Sequence, residues 1–307
     1  MKDDDKDAKW IADLFKLGMV KSSFITDKNI RVLRELCRYQ YKITCIHVSE
    51  KNRFQNALTV GNCKVDLVFT DVFDKSSSAI IDKVLSGDSY TNEEILSLVH
   101  KRCKVSHENI LNAVNGVELT DIPKNRIKII HNHIDYLKKM KVDIQNNINT
   151  IVAPYEPYIN LLCTIPGMHR NSAITIISKI CIDMDHFSSS YHITAWAGLT
   201  PASNRTGGKN KSVKISKAGV YLKPCLVEVA HIAVKDNNTP YYANKFKHIS
   251  KRRNKKRAII AIARKILVAI YHMIKIGEVF NPRDLADVET TPEKRQKFIK
   301  KQFKPNS

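Results

Sequence analysis

Three stretches of this 307-residue sequence carry residue types that could do chemistry. The first is the opening MKDDDKDAKWIADL, where Asp3, Asp4, Asp5 and Asp7 crowd ahead of an amphipathic segment. Three readings fit such acids. They match part of an epitope tag, they suit a solvated helix start where carboxylates complement the helix dipole, or they belong to an active site. The second stretch is TGGKNKS, which sets the Thr206 hydroxyl beside two glycines, with Lys209, Lys211, Lys214 and Lys217 close by. A hydroxyl can attack phosphorus once its proton is removed and the developing charge is stabilised. The loop therefore suits a phosphodiester, with a plain DNA-contacting turn as the alternative. A nucleotide-binding P-loop is excluded, because Ser203 stands where its first glycine is needed and Asn210 follows Lys209. The third stretch is KHISKRRNKKRAIIAIARK. Here Lys251, Arg252, Arg253, Lys255, Lys256 and Arg257 precede a helix with Ile259, Ile262, Ile266 and Ile270 on one face. That pattern reads as phosphate contact, against the alternative of a solvated charge run.

The overall charge agrees with the third reading. Lys and Arg number 51 against 30 Asp and Glu, a net charge of +21, which points to a polyanion and most often to nucleic acid. Between Pro201 and Lys275 stand eighteen Lys and Arg against only Glu228 and Asp236, so binding is expected to centre there. A fourth feature lies just ahead of this region. Leu162 to Ile177 reads as helix, Pro166-Gly167 turn, helix, the pattern of a helix-hairpin-helix, with Ala173 small enough for close packing. Such a turn can aim unpaired helix N–H groups at a phosphate. Gly167 would let a DNA backbone approach, although an ordinary hairpin in a core has the same pattern.

Other classes are disfavoured. The seven cysteines are odd in number and widely spaced, with no C-x-x-C, as in a reducing, cytoplasmic setting. His131 and His133 are two apart on a helical pattern and point away from each other, so a zinc site is not expected there. The most apolar late segment is interrupted by Arg264 and Lys265 and reads as a core helix rather than a membrane span.

The elements that must position these stretches are mainly helical. An amphipathic helix over residues 7–17 gathers Trp10, Ile11, Leu14 and Phe15 on one face. A longer one is expected over residues 27–58. Thr91 and Glu94 form a helix-start signature. Ile127, Ile130, Ile134, Leu137, Ile144 and Ile148 keep a three-four spacing over about seven turns. This seam suits either a bundle core or a coiled-coil arm that pairs two copies. Pro154 and Pro157 mark a boundary, and the tail after residue 280 is expected to be mobile.

Taken in order, LLCTIPGM, SAITIISKI, ITAWAGLTP, TGGKNKSVKISKAGVYLKPCLVEVA and KKRAIIAIARKILVAIYHMIKIGEVF resemble the C-terminal domain of insertion-sequence-110 type transposases. SFITDKNIRVLRELCRYQYKI and EKNRFQNAL resemble the segment that follows that family's nuclease-like domain. The nuclease-like domain is RNase H-like, of the Holliday-junction-resolvase kind, with four acids in the order Asp, Glu, Asp, Asp. The last two lie in K-x-D-x-x-D-A, which KDDDKDA matches.

The resemblance implies that Asp4 and Asp7 are catalytic metal ligands for Mg²⁺ and that Thr206 stands where family members carry the serine that attacks DNA. Threonine keeps the hydroxyl but adds a methyl that restricts its rotamers. Ser203, Ser212 and Ser216 are nearby substitutes. The family's first Asp and its Glu precede the matched acids, so the chain is expected to be an N-terminally truncated copy that holds Mg²⁺ weakly or not at all. Expected domains are an RNase H-like remnant (1–60), a helical linker or coiled coil (61–153), an all-helical DNA-binding transposase domain with the helix-hairpin-helix (154–280) and a tail (281–307). Expected partners are DNA, an element-encoded guide RNA and a second copy joined through the helical linker, with no membrane. The expected function is strand cleavage and exchange in transposition. The alternative is a remnant that binds nucleic acid without cutting it.

Overall fold

In the computed structural model, the described residues are 4–20, 24–87, 89–117, 119–201, 205–206, 209–210, 215, 218–282 and 284. They are mainly helical. Helix α1 (Asp4–Lys16) begins on the opening acids. Its apolar face forms as the spacing predicts, yet none of its residues is buried, and Trp10 is 65% and Phe15 72% exposed. Helix α2 (Lys28–Val60) starts where Asp27 Oδ1 accepts the Ile30 N–H at 3.0 Å, relieving one unpaired donor of the first turn.

The described chain divides into two compact units, one of residues 38–150 and one of residues 1–37 with 151–307. The 38–150 unit is built on the body of α2 and on α7 (Asp121–Val152), with α3 (Val65–Val68), α4 (Lys75–Ser86), α5 (Asn92–Ser97) and α6 (His107–Val114) between them. Gln40 Nε2 donates to Gln145 Oε1 at 2.9 Å, and His133 lies 3.7 Å from the buried Glu50 carboxylate. The Phe54 and His131 rings lie 5.6 Å apart. Residue numbers rise on one helix as they fall on the other, so α2 and α7 run antiparallel. Ile127, Ile130, Ile134, Leu137, Ile144 and Ile148 are all buried within the single chain. The seam therefore serves an intrachain core, and these positions are not left open for a second copy. Phe54, Leu58, Ile80, Ile81, Ile95 and Ile110 complete that core. The expected capping signature is present: Thr91 Oγ1 accepts the Glu94 N–H at 3.2 Å and Glu94 Oε2 accepts the Thr91 N–H at 3.1 Å. It satisfies two donors that the short α5 would otherwise leave bare.

The second unit packs α8 (Glu156–Leu162), α9 (Arg170–Ile180), α10 (Ser190–Trp196), α11 (Leu222–Ala233) and α12 (Tyr241–Ser250) around α13 (Lys255–Ile276). A 3-10 turn (Ala153–Tyr155) leads into α8, where two prolines occupy early helical positions that need no N–H partner. Arg34, at the start of α2, donates to the Ser178 and Lys179 carbonyls at 3.0 and 3.4 Å and caps the negative end of α9. The α13 face predicted from Ile259, Ile262, Ile266 and Ile270 is buried, joined by Ala263, Leu267 and Ile274.

All seven cysteines are free thiols, and burial pushes Cys63 up to about 11 and Cys225 up to about 12. Cys37, Cys63 and Cys181 are buried and serve as small core side chains, whereas Cys45 is exposed. No helix among the described residues is long and apolar enough to cross a membrane. The tail expected beyond residue 280 falls, after Asp284, outside the described residues.

Candidate nucleic-acid interface

The start of α13 is held by Asn254, whose side-chain oxygen accepts the Arg257 N–H at 2.9 Å. This cap fixes the direction in which the preceding turn and the first helical turn project. Lys251, Arg252, Arg253, Lys255, Lys256 and Arg257 are all exposed, and among the described residues none of them makes an ion pair. Three of them occupy the first turn of α13, which contains no acid. A cation at the positive end of a helix is unfavourable by roughly 0.3–1 kcal/mol, so three together oppose local stability and suit an external anion. Lys247 differs, because it sits in the last turn of α12, where the helix dipole favours it.

Thr206 and Lys209 lie on two short antiparallel strands, β1 (Arg205–Thr206) and β2 (Lys209–Asn210). Thr206 pairs with Lys209 and Arg205 with Asn210, and Pro201 bridges Ile215 further down the stem. The backbone thus brings the hydroxyl-bearing residue and one of the expected lysines opposite each other. Lys211, Lys214, Lys217, Ser203, Ser212 and Ser216 lie outside the described residues. At the base of the hairpin, Gly219 has φ +73°, and a Cβ there would come within 2.3 Å of the Ala197 carbonyl oxygen. The backbone at Gly219 is therefore clamped against that of Ala197, beside Lys223, which partial burial shifts to a lower pKa.

The Pro166-Gly167 turn does join two helices, α8 and α9, but it faces inward. Thr164, Ile165, Pro166 and Met168 are buried. Gly167 has φ +78°, and a Cβ there would lie 2.5 Å from the Ala233 nitrogen and 2.9 Å from the Val229 oxygen of α11. The missing side chain makes room for α11, which corrects the expectation that it makes room for DNA. The adjoining start of α9 is also engaged, since Arg170 forms a two-pronged ion pair with Glu156 of α8.

Asp4 and Asp7 lie in the first turn of α1 and are both exposed. Among the described residues no three His, Cys, Asp or Glu side chains gather as a metal site would need. Mg²⁺ demands a near-octahedral set of oxygens and gives up its waters reluctantly. Two exposed carboxylates on a helix with no buried residue do not fit that demand by themselves.

Sequence reasoning missed the role of Arg264 and Lys265, read only as interruptions of an apolar run. With Arg257, Ala261, Val268 and His272 they form a second stripe at helical spacing along α13. It runs from the basic start into a pocket near the helix's other end. The small residue at 261 and the basic pair at 264–265 are the signal that could have revealed it.

Comparison with known families fits this arrangement. Residues 159–247 match the transposase family described as IS116/IS110/IS902, and residues 1–61 match the DEDD transposase domain of IS110 elements. No curated protein matches the chain. The two matches take in α1, the hairpin, α11 and most of α12. The chain belongs to the IS110 family of insertion-sequence transposases.

Proposed function

We propose that the chain binds DNA through the start of α13 and the β1–β2 hairpin, and breaks and rejoins DNA strands through the Thr206 hydroxyl. The observation that carries the DNA part is the set of six exposed cations at 251–257, three of them crowded onto the positive end of α13. Such a placement weakens the helix and is offset when phosphate arrives. Lys209, Lys211, Lys214 and Lys217 follow Thr206 closely in the sequence, so in this reading a strand held by α13 meets Thr206 among cations.

In the reaction, Thr206 Oγ1 loses its proton and forms a bond to phosphorus while a deoxyribose oxygen leaves and takes up a proton. The lysines offset the charge that develops on the phosphoryl oxygens. Attack by another strand's hydroxyl reverses the link and joins the strands. Residues 1–60 are read as part of an RNase H-like domain and 154–280 as the DNA-handling domain, with α8 and α9 as its helical hairpin. Proteins with the first of these domains typically use a divalent metal. Asp4 and Asp7 do not fit one alone, so no step is assigned to them. An element-encoded guide RNA and a second copy are further partners in this reading, and the cytoplasm is its setting.

The misfit of the acids favours a second reading in which the chain holds DNA without cutting it. Trapping covalent protein–DNA adducts on a nicked duplex separates the two. Wild type and Thr206→Ser should form adducts, and Thr206→Ala should not, because only alanine removes the nucleophile. Adducts that persist in Thr206→Ala would move the attack to Ser203 or Ser212. No adduct in any variant would leave the binding-only reading.

A further inference from the structure

A pocket of about 1000 Å³ opens beside the second half of α13. Its floor is apolar, made by Val268, Ala269, Met273 and Phe280, and Arg264 and Lys265 stand at the end nearer the basic start of the helix. Lys256 and Lys265 are nine residues apart, about 14 Å along the helix. The far wall is the segment after α13, and it is pinned to α12. Tyr241 Oη donates to Asp284 Oδ1 at 2.7 Å, and Lys245 pairs with the other carboxylate oxygen. Edge-on contacts of Tyr241 with Tyr242 and Phe280, and a tilted contact of Tyr242 with Phe280, brace that wall. The pocket is therefore preformed, with a size and a mixed lining typical of small-ligand sites.

We propose that this pocket takes one nucleotide drawn out of the base stack of a DNA strand lying on the start of α13. The inference rests on the DNA reading above and adds a site to it. The chemistry matches part by part. A flat base covers the apolar floor, as it would a stacking platform. Its phosphate meets Arg264 and Lys265. An anion suits the charge there, because burial and the neighbouring Lys245 and Arg264 lower Lys265, with Asp284 only partly offsetting them. Glu278 and Asn281 on the rim can meet the polar edge of the base. A base that is already unpaired costs least to extrude, so the site should prefer DNA that carries one.

The test measures binding of the full chain to a perfectly paired duplex and to the same duplex with one unpaired nucleotide, each with and without excess free deoxyadenosine monophosphate. Wild type should bind the unpaired form about tenfold more tightly, the gain expected of one base on a stacking surface. Ala269→Trp, which fills the floor, and Lys265→Gln, which keeps the shape and removes the charge, should each abolish the preference and leave paired-duplex binding within about twofold of wild type. Equal affinity for both duplexes, or a preference that survives both variants, overturns the proposal. Loss of the preference at micromolar free nucleotide would assign the pocket to a free nucleotide and also overturns it. Failure to bind either duplex refutes the DNA reading itself, and this inference with it.

Discussion

Gly167 in the α8–α9 turn and Ala233 at the end of α11 meet so closely that a side chain on the glycine would lie 2.5 Å from the Ala233 nitrogen. The turn is thus a packing device that lets α11 lie against the hairpin, and its positive φ adds a second reason for glycine. Gly167→Ala should destabilise the protein by roughly 2–3 kcal/mol, through backbone strain and overpacking against atoms that cannot rotate away. Chemical denaturation measures it. A change of less than about 0.5 kcal/mol, the scale of a neutral surface substitution, would show that the contact is not made.

The α7 seam gives a second prediction. Ile134 is fully buried within one chain. Ile134→Ala should cost roughly 2–5 kcal/mol by leaving a cavity. Because α2 of the same chain lines the seam, the unfolding midpoint of wild type and variant should not move with protein concentration. A midpoint that rises with concentration would mean that a second copy covers the seam.

The pinned wall beyond α13 predicts a pH dependence. Lys245 holds the Asp284 carboxyl below its ordinary range, with Tyr241 adding a second hydrogen bond. A carboxyl depressed on folding contributes stability above its unfolded pKa, near 4, and loses it as pH falls through the folded value. Asp284 is about half exposed, so the pair should contribute no more than about 1 kcal/mol. Asp284→Asn should therefore be slightly less stable than wild type at pH 7, and the gap should close below about pH 4. A gap that widens on acidification would contradict the assignment.

What the sequence revealed and what it hid divide along one physical line. The Thr91–Glu94 cap, the isoleucine face of α13 and the seam of α7 were legible because each depends on neighbours three or four residues away. Gly167 was misread because its partner, Ala233, is remote in sequence and only the fold brings them together. Trp10 and Phe15 show the opposite limit. Their spacing forecasts a buried face, and the described structure leaves it bare, because periodicity announces a surface to be covered and not what covers it. The pocket could not be read at all, since its walls come from α12, α13 and the segment after it. At the candidate site the basic run was plain from charge alone. Its position on the positive end of a capped helix, which is what favours an anion there over a merely solvated charge run, was not.

The salt dependence of DNA affinity tests the central claim most directly. Each phosphate contacted contributes about 0.9 to the slope of log affinity against log salt concentration. If the start of α13 holds the backbone, wild type should show a steep negative slope, and replacing Arg252, Arg253, Lys255 and Lys256 together with alanine should make it shallower by up to about 3.6. These side chains are exposed and outside the core, and two of them oppose the α13 dipole, so the variant should keep or slightly raise the wild-type unfolding midpoint. A slope unchanged by the four substitutions, in a protein that still binds DNA, would place the interface elsewhere and contradict the account.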